Sequence, residues 1–219
     1  LSGSQVSMLD AGRVVALSPG QLQALDTAQV GVLTAQQMQW FESAQLSGLQ
    51  SWQVSLLSMD QLQAIETRDV RMLQAVQVGG MRSDQIVGLR TNQVGVLQAG
   101  QLKSLQVGQV GAIETEDLRV LESVQLQAFG VPQVKALQPQ QVAGLRSEQM
   151  GMLASDQVRG FGSEQVSALL GAQLNALRTG QVSLLLTEQI RALSGSQVSM
   201  LDAARVVALS PGQLQALDT

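Results

Sequence analysis

Large apolar residues recur along this chain every eight positions, from its first residue to its last. With octapeptides numbered from Leu1, position 1 is Leu in 22 of 28 cases, and is Phe41, Ile65, Met81, Ile113, Phe129 or Phe161 in the rest. Position 6 is Val, Leu, Ile or Met in all 27 units. Position 5 is Gln in 23 of 27, the exceptions being Arg13, Asp69, Asp117 and Arg205. Position 8 is usually small, and positions 2, 3, 4 and 7 are mostly polar, Gly or Ala. No insertion or deletion disturbs the register, so residues 1–219 read as one continuous octapeptide array. Such an array implies quasi-identical units, each burying its apolar side against its neighbours.

A single long helix does not fit this period. Eight residues turn an α-helix by about 800°, so an apolar stripe would precess by about 80° per unit. A break in every unit resets the phase. Within the unit a short helix fits well. Position 2 is often Ser, Thr or Asp (Ser2, Asp10, Ser18, Asp26, Thr34), all good N-caps. Position 5 then falls at N3, where Gln completes an S/T-x-x-Q capping box. Pro19, Pro139 and Pro211 stand at position 3, the first helical residue, where proline is tolerated. Position 6 and the next position 1 are three apart and share the inner face. The pattern therefore predicts an all-α fold, a tight solenoid of one short helix per octapeptide. A helix of about six residues falls below the roughly 12–15 needed for marginal stability alone, so stacking must hold it. The alternative is a β-solenoid with 16-residue coils, in which the Gln columns would form ladders. Few Thr and Ile and little strict alternation speak against it.

A longer period overlies the short one. Residues 193–219 repeat residues 1–27 with one change, Gly12 to Ala204, at an offset of 192 residues. This predicts a segment of a longer chain built from ~192-residue blocks. Leu recurs at every third position 1 (Leu1, Leu25, Leu49, Leu73), which hints at three units per coil.

Composition narrows the chemistry. The chain is 45% hydrophobic, too apolar for disorder, yet only 14% charged, so Gln, Ser, Thr and Gly make up most of its polar surface. A net charge of -4 and only two lysines, Lys103 and Lys135, argue against a nucleic-acid partner. The sequence holds no Cys, His or Tyr, which removes disulfides, thiol or imidazole chemistry and Cys/His metal sites. No apolar run is long enough to span a membrane.

The Gln column, exemplified by Gln5, Gln21, Gln29, Gln37 and Gln45, is the feature most open to a functional reading, as a polar track for a ligand. Its spacing reads instead as helix capping plus hydrogen bonds between units. The exceptions look like local compensation. Arg13 and Arg205 follow Asp10 and Asp202 by three residues, and Asp69 and Asp117 lie near Arg71 and Arg119. Glu42, Glu66, Glu114, Glu116 and Glu122 are scattered and read as a solvated face. Phe41, Phe129 and Phe161 replace the core Leu. Trp52, at position 4, is the candidate for a lateral contact. No catalytic, cofactor-binding or metal-ligating residue is expected, because nothing departs from the repeat to build a site.

Stretches such as LSPGQLQA (17–24), LTAQQMQW (33–40) and LRTGQVSL (177–184) resemble the L-[ST]-x-x-Q-[VI]-x-A octapeptide arrays of very large bacterial secreted or cell-surface proteins. The resemblance covers the whole chain and implies an extended stalk, adhesin or fibre outside the cell. The expected function is structural, a segment of an extracellular filament or cell-surface stalk whose partner is itself or the next repeats of the same chain. A solenoid binding module for a peptide or surface-protein partner is the alternative. An enzyme is not expected.

Overall fold

The computed structural model describes residues 1–218. Each complete octapeptide holds one α-helix of four to six residues, α1 (Gly3–Ser7) through α27 (Pro211–Gln215), and a 3₁₀ turn follows at Ala216–Asp218. The fold is thus a helical solenoid, and no strand occurs among the described residues. The β-solenoid alternative is overturned, for a local reason. Most units carry Gln at N3, whose side chain accepts from the N-cap backbone N–H, and this local bond commits the backbone to helix before any Gln ladder between strands can form.

The caps sit where the spacing placed them. Ser2, Asp10, Ser18, Asp26 and Thr34 each accept a hydrogen bond from the backbone N–H three residues on. Where position 2 is Glu42, Arg82 or Arg90, that side-chain bond is missing, yet the helix begins at the same place. The invariant half of the box explains this. Gln45, Gln85 and Gln93 still accept from the N–H of Glu42, Arg82 and Arg90, at 2.8, 2.8 and 3.0 Å. Helices stop without glycine's special backbone. Position 1 turns extended (Leu49 φ -62°, ψ 146°) while its N–H reaches back to the position 6 carbonyl, as Leu49 does to Leu46 at 3.2 Å. No described residue has a positive φ.

The chain divides into two compact units, Leu1–Ala112 and Ile113–Thr219. In each, a helix packs on the helix three repeats away. In the first unit α2 (Ala11–Val15) meets α5 (Ala35–Trp40), α5 meets α8 (Met59–Ala64), and α7 (Ser51–Leu56) meets α10 (Ala75–Gly79), which meets α13 (Ala99–Ser104). In the second, α15 (Thr115–Val120) meets α18 (Pro139–Gly144), and α19 (Ser147–Met152) meets α22 (Gly171–Ala176). Positions 1 and 6 fill the interior. Leu33, Met38, Phe41, Leu46, Phe129 and Phe161 are all buried. Each such side chain contributes about 1.5–3 kcal/mol by leaving water. No helix here can stand alone, so stability lives in the contact between turns.

That contact has a size rule. Position 3 of one helix faces position 8 of a helix 29 residues later. Pro19, Met59 and Val131 meet Gly48, Gly88 and Gly160, where an added Cβ would lie 2.7, 2.0 and 2.8 Å from the partner side chain. The pairing also runs the other way, since a Cβ added at Gly171 would lie 2.5 Å from Met200 Sδ. Glycine is therefore used here for room between turns.

Candidate functional site

The position 5 side chain has two jobs. Its Oε1 accepts from the N–H of its own N-cap. Its Nε2 donates to two backbone carbonyls one turn earlier, 31 and 28 residues back. Gln37 accepts from Thr34 N–H at 2.9 Å and donates to Val6 and Leu9 carbonyls at 2.8 and 2.9 Å. Gln45 accepts from Glu42 N–H and donates to Val14 and Leu17 carbonyls at 2.9 and 2.7 Å. The same pattern recurs at Gln77, Gln93, Gln149 and Gln173. These bonds cross to the neighbouring turn, whose helices lie three repeats away. The position 1 carbonyl lies in the link beyond the helix end, while the position 6 carbonyl already accepts from the next position 1 N–H and takes the amide as a second donor. One amide thus caps its own helix and the C-terminal end of another.

The column changes character along the first turn. Gln5 and Gln21 accept from Ser2 and Ser18 N–H at 2.7 and 2.8 Å, and both side chains are exposed. Gln29 is half-buried and reaches one carbonyl, Leu1, at 2.5 Å. From Gln37 onward the position 5 glutamines are buried. Trp52 is 41% exposed on α7, with its ring N–H directed to the Gln50 side chain.

Three of the four exceptions show two kinds of replacement. Arg205 substitutes for Gln as a donor, giving Nε–H to the Leu177 carbonyl at 2.9 Å, while Asp202 takes both its backbone N–H and its guanidinium. Arg13 makes the same pair with Asp10 on the exposed first turn. Asp69 is different, being buried with no N–H to offer the carbonyls 31 and 28 residues back, Met38 and Phe41. Its carboxylate takes the Ser43 hydroxyl and lies 3.5 Å from Arg68 Nε, so the neighbour that compensates it is Arg68, where Arg71 was expected. Asp69→Gln should therefore stabilise the chain by about 1–2 kcal/mol, since it restores two amide–carbonyl bonds and removes a buried charge. Urea denaturation of the two proteins measures this, and an unchanged or lower midpoint would refute it.

Two further ladders escaped the sequence reading. Position 7 side chains donate forward to position 8 carbonyls 25 residues ahead. Gln23 reaches Gly48, Gln63 reaches Gly88 and Asn175 reaches Met200, each at 2.7 Å. Position 2 arginines point back, with Arg82 on the Ser55 carbonyl, Arg146 on Leu121 at 3.3 Å and Arg178 on Leu153 at 2.9 Å. The detectable signal was a long side chain recurring at those positions. What hid it is that only the turn length fixes the partner. Arg82 also hydrogen-bonds Asp84, which lowers that carboxyl from its ordinary value, but the pair is exposed and adds little.

Chemically, these groups are occupied with each other. No buried side-chain nitrogen or oxygen among the described residues lacks a partner, and no cluster of three or more potential metal ligands occurs among them. No helix of the described residues is long and apolar enough to cross a membrane.

The ALTTAQ repeat matches residues 6–43, 62–99 and 110–147, just over half of the chain. All three spans begin at position 6 of the octapeptide, so the match follows the same register. The span 6–43 contains both Gln37 and the Val6 and Leu9 carbonyls it binds, and 62–99 contains Gln93 with Leu62 and Ile65. Each matched span is thus longer than one turn. No curated protein matches the chain.

Proposed function

Because the chain belongs to the ALTTAQ repeat family, we propose that it acts as a structural element, a segment of an extracellular filament or cell-surface stalk that self-associates or continues end to end. The supporting observation is the Gln column. Each turn receives its carbonyl partners from the turn before and offers the same carbonyls to the turn after, so the bonding scheme has no natural stopping point. The long polar side chains at positions 2 and 7, such as Arg178 and Gln63, also tie turn to turn. The bacterial, secreted setting follows from the octapeptide resemblance, and catalysis has no part in this reading. A groove for a peptide or surface-protein partner is supported less. It needs free Arg and aromatic side chains on one face, whereas Arg82, Arg146 and Arg178 spend their guanidinium groups on carbonyls of the fold.

Electron microscopy of the native material is the test. Long fibres of uniform width are expected at the surface or in the medium of the producing cells. Dispersed single particles at high concentration would reject the reading.

A further inference from the structure

Three consecutive helices of the first unit differ in how they are held to the turn before them. Gln61 of α8 donates to Val30 and Leu33 carbonyls at 3.2 and 2.6 Å, and Gln77 of α10 to Leu46 and Leu49 carbonyls at 2.9 and 2.6 Å. Between them, α9 (Thr67–Val70) carries Asp69 at the same position. A carboxylate has no N–H to give, and the side chain is one methylene shorter than Gln, so the amide tie is missing. What Asp69 accepts from the turn before is the Ser43 hydroxyl of α6 (Ser43–Gly48). Its other partner, Arg68, belongs to α9 itself and ties nothing across.

The same helix is weakly supported from within. Ser58 and Gln61 make both halves of the capping box in α8, and Gln77 makes its half with Gln74 N–H in α10. In α9 neither half is made. It has four residues, against six in α8 and five in α10. A helix this short depends on its neighbours, so the lost ties fall where they matter most. The step on the other side is intact, because Gln101 of α13 donates to Val70 and Leu73 carbonyls at 2.9 and 2.7 Å. The stretch AIETRDVRML (64–73) is echoed by AIETEDLRVL (112–121), which again puts Asp at position 5. Asp in the column is thus used twice, in the same sequence setting.

We propose that α9 is a built-in opening point, where the solenoid parts between α6 and α9 before it parts at α8 or α10. Local opening of this kind draws on the least supported element of a fold. Here it lifts α9 from the turn before while Gln101 keeps it on the turn after. In a stalk, bending or stretch would be taken up at this step; that consequence rests on the structural reading above, whereas the opening itself does not.

The test is residue-level amide hydrogen exchange of the 219-residue chain, comparing Leu62, Val70 and Val78. All three stand at position 6, all are buried, and their N–H groups donate to Ser58, Glu66 and Gln74 carbonyls at 3.0, 3.0 and 3.1 Å. With their static environments so alike, a difference in exchange reports opening. Val70 should exchange about tenfold faster than Leu62 and Val78 after correction for intrinsic rates, the factor given by two missing hydrogen bonds of ordinary net strength. Asp69→Gln should close most of that gap. Asp69→Asn removes the charge but is too short to restore the tie, so it should leave most of the gap in place. Asp60→Asn, which removes the same charge at an exposed site on α8, should leave it unchanged. Equal protection of the three amides, a gap that survives Asp69→Gln, or a gap closed as well by either Asn variant would each overturn the proposal. None of these outcomes bears on the stalk reading, which microscopy decides separately.

Discussion

Gln77→Glu should destabilise the chain by about 3–5 kcal/mol, the cost of leaving a buried charge uncompensated. Gln77 is fully buried, accepts from Gln74 N–H at 2.6 Å, and donates to Leu46 and Leu49 carbonyls at 2.9 and 2.6 Å. Glutamate preserves shape and the accepting half of this arrangement. It exchanges the donor for a carboxylate aimed at two carbonyl oxygens, in a place water does not reach. Gln77→Ala serves as the comparison. It removes the amide donor from the Leu49 carbonyl, while Leu46 keeps the Leu49 N–H, and it introduces no charge, so it should cost about 1–3 kcal/mol. The sign with pH separates the two. Burial against carbonyls raises the introduced carboxyl's folded-state pKa above its unfolded value. Its penalty is then full above the folded pKa and shrinks as pH falls toward the unfolded one, where the protonated group can donate to a carbonyl. Urea denaturation should therefore show Gln77→Glu recovering relative to wild type on mild acidification and Gln77→Ala not recovering. A variant within 1 kcal/mol of wild type at neutral pH would mean the column contributes little.

Gly151→Ala should destabilise the chain by about 1–3 kcal/mol, although alanine favours helix over glycine by about 1 kcal/mol. Gly151 lies inside α19, where an added Cβ would stand 2.6 Å from the Ala176 carbonyl oxygen at the end of α22. That obstacle is backbone and cannot rotate away, so α19 and α22 must separate and every inter-turn bond nearby must stretch. Gly100→Ala provides the opposite case. Gly100 is also inside a helix, α13, but nothing lies within 4 Å of its Cβ site. There the propensity gain stands unopposed, and stability should rise by about 0.5–1 kcal/mol. Thermal or urea denaturation of the pair reads out the difference. Two changes of equal sign would show that spacing between turns is looser than the glycine at position 151 implies.

Much of this architecture was legible because it is local. The helix in each octapeptide depends on residues three or four apart, such as Ser18 with Gln21 or Val6 with Leu9, and period and capping chemistry report such contacts directly. The interior was legible for the same reason, since positions 1 and 6 share a face. What the oxygen of Gln does could be read from its place at N3. Where its nitrogen goes could not, because the answer lies 28 and 31 residues away and depends on how many helices complete a turn. The Leu spacing of 24 agrees with helices that pack three repeats apart, but it does not say which carbonyls of that turn the amide meets. Asp69 shows the same boundary. Its departure from the column was plain, but its neighbours were not, since Ser43 comes from the turn before and Arg68 lies closer than Arg71.

By itself, then, the sequence determined that every unit is a short capped helix, that Leu and Val line one face, and that no unit can fold alone. Those properties follow from backbone and side-chain preferences acting within eight residues. The tertiary structure decided the length of the turn, the pairing of Gly48 with Pro19 and Gly88 with Met59, and the second role of buried glutamines such as Gln37, Gln77 and Gln173. These depend on closing a coil, where a small change in rotation at each short link accumulates over three repeats before partners meet.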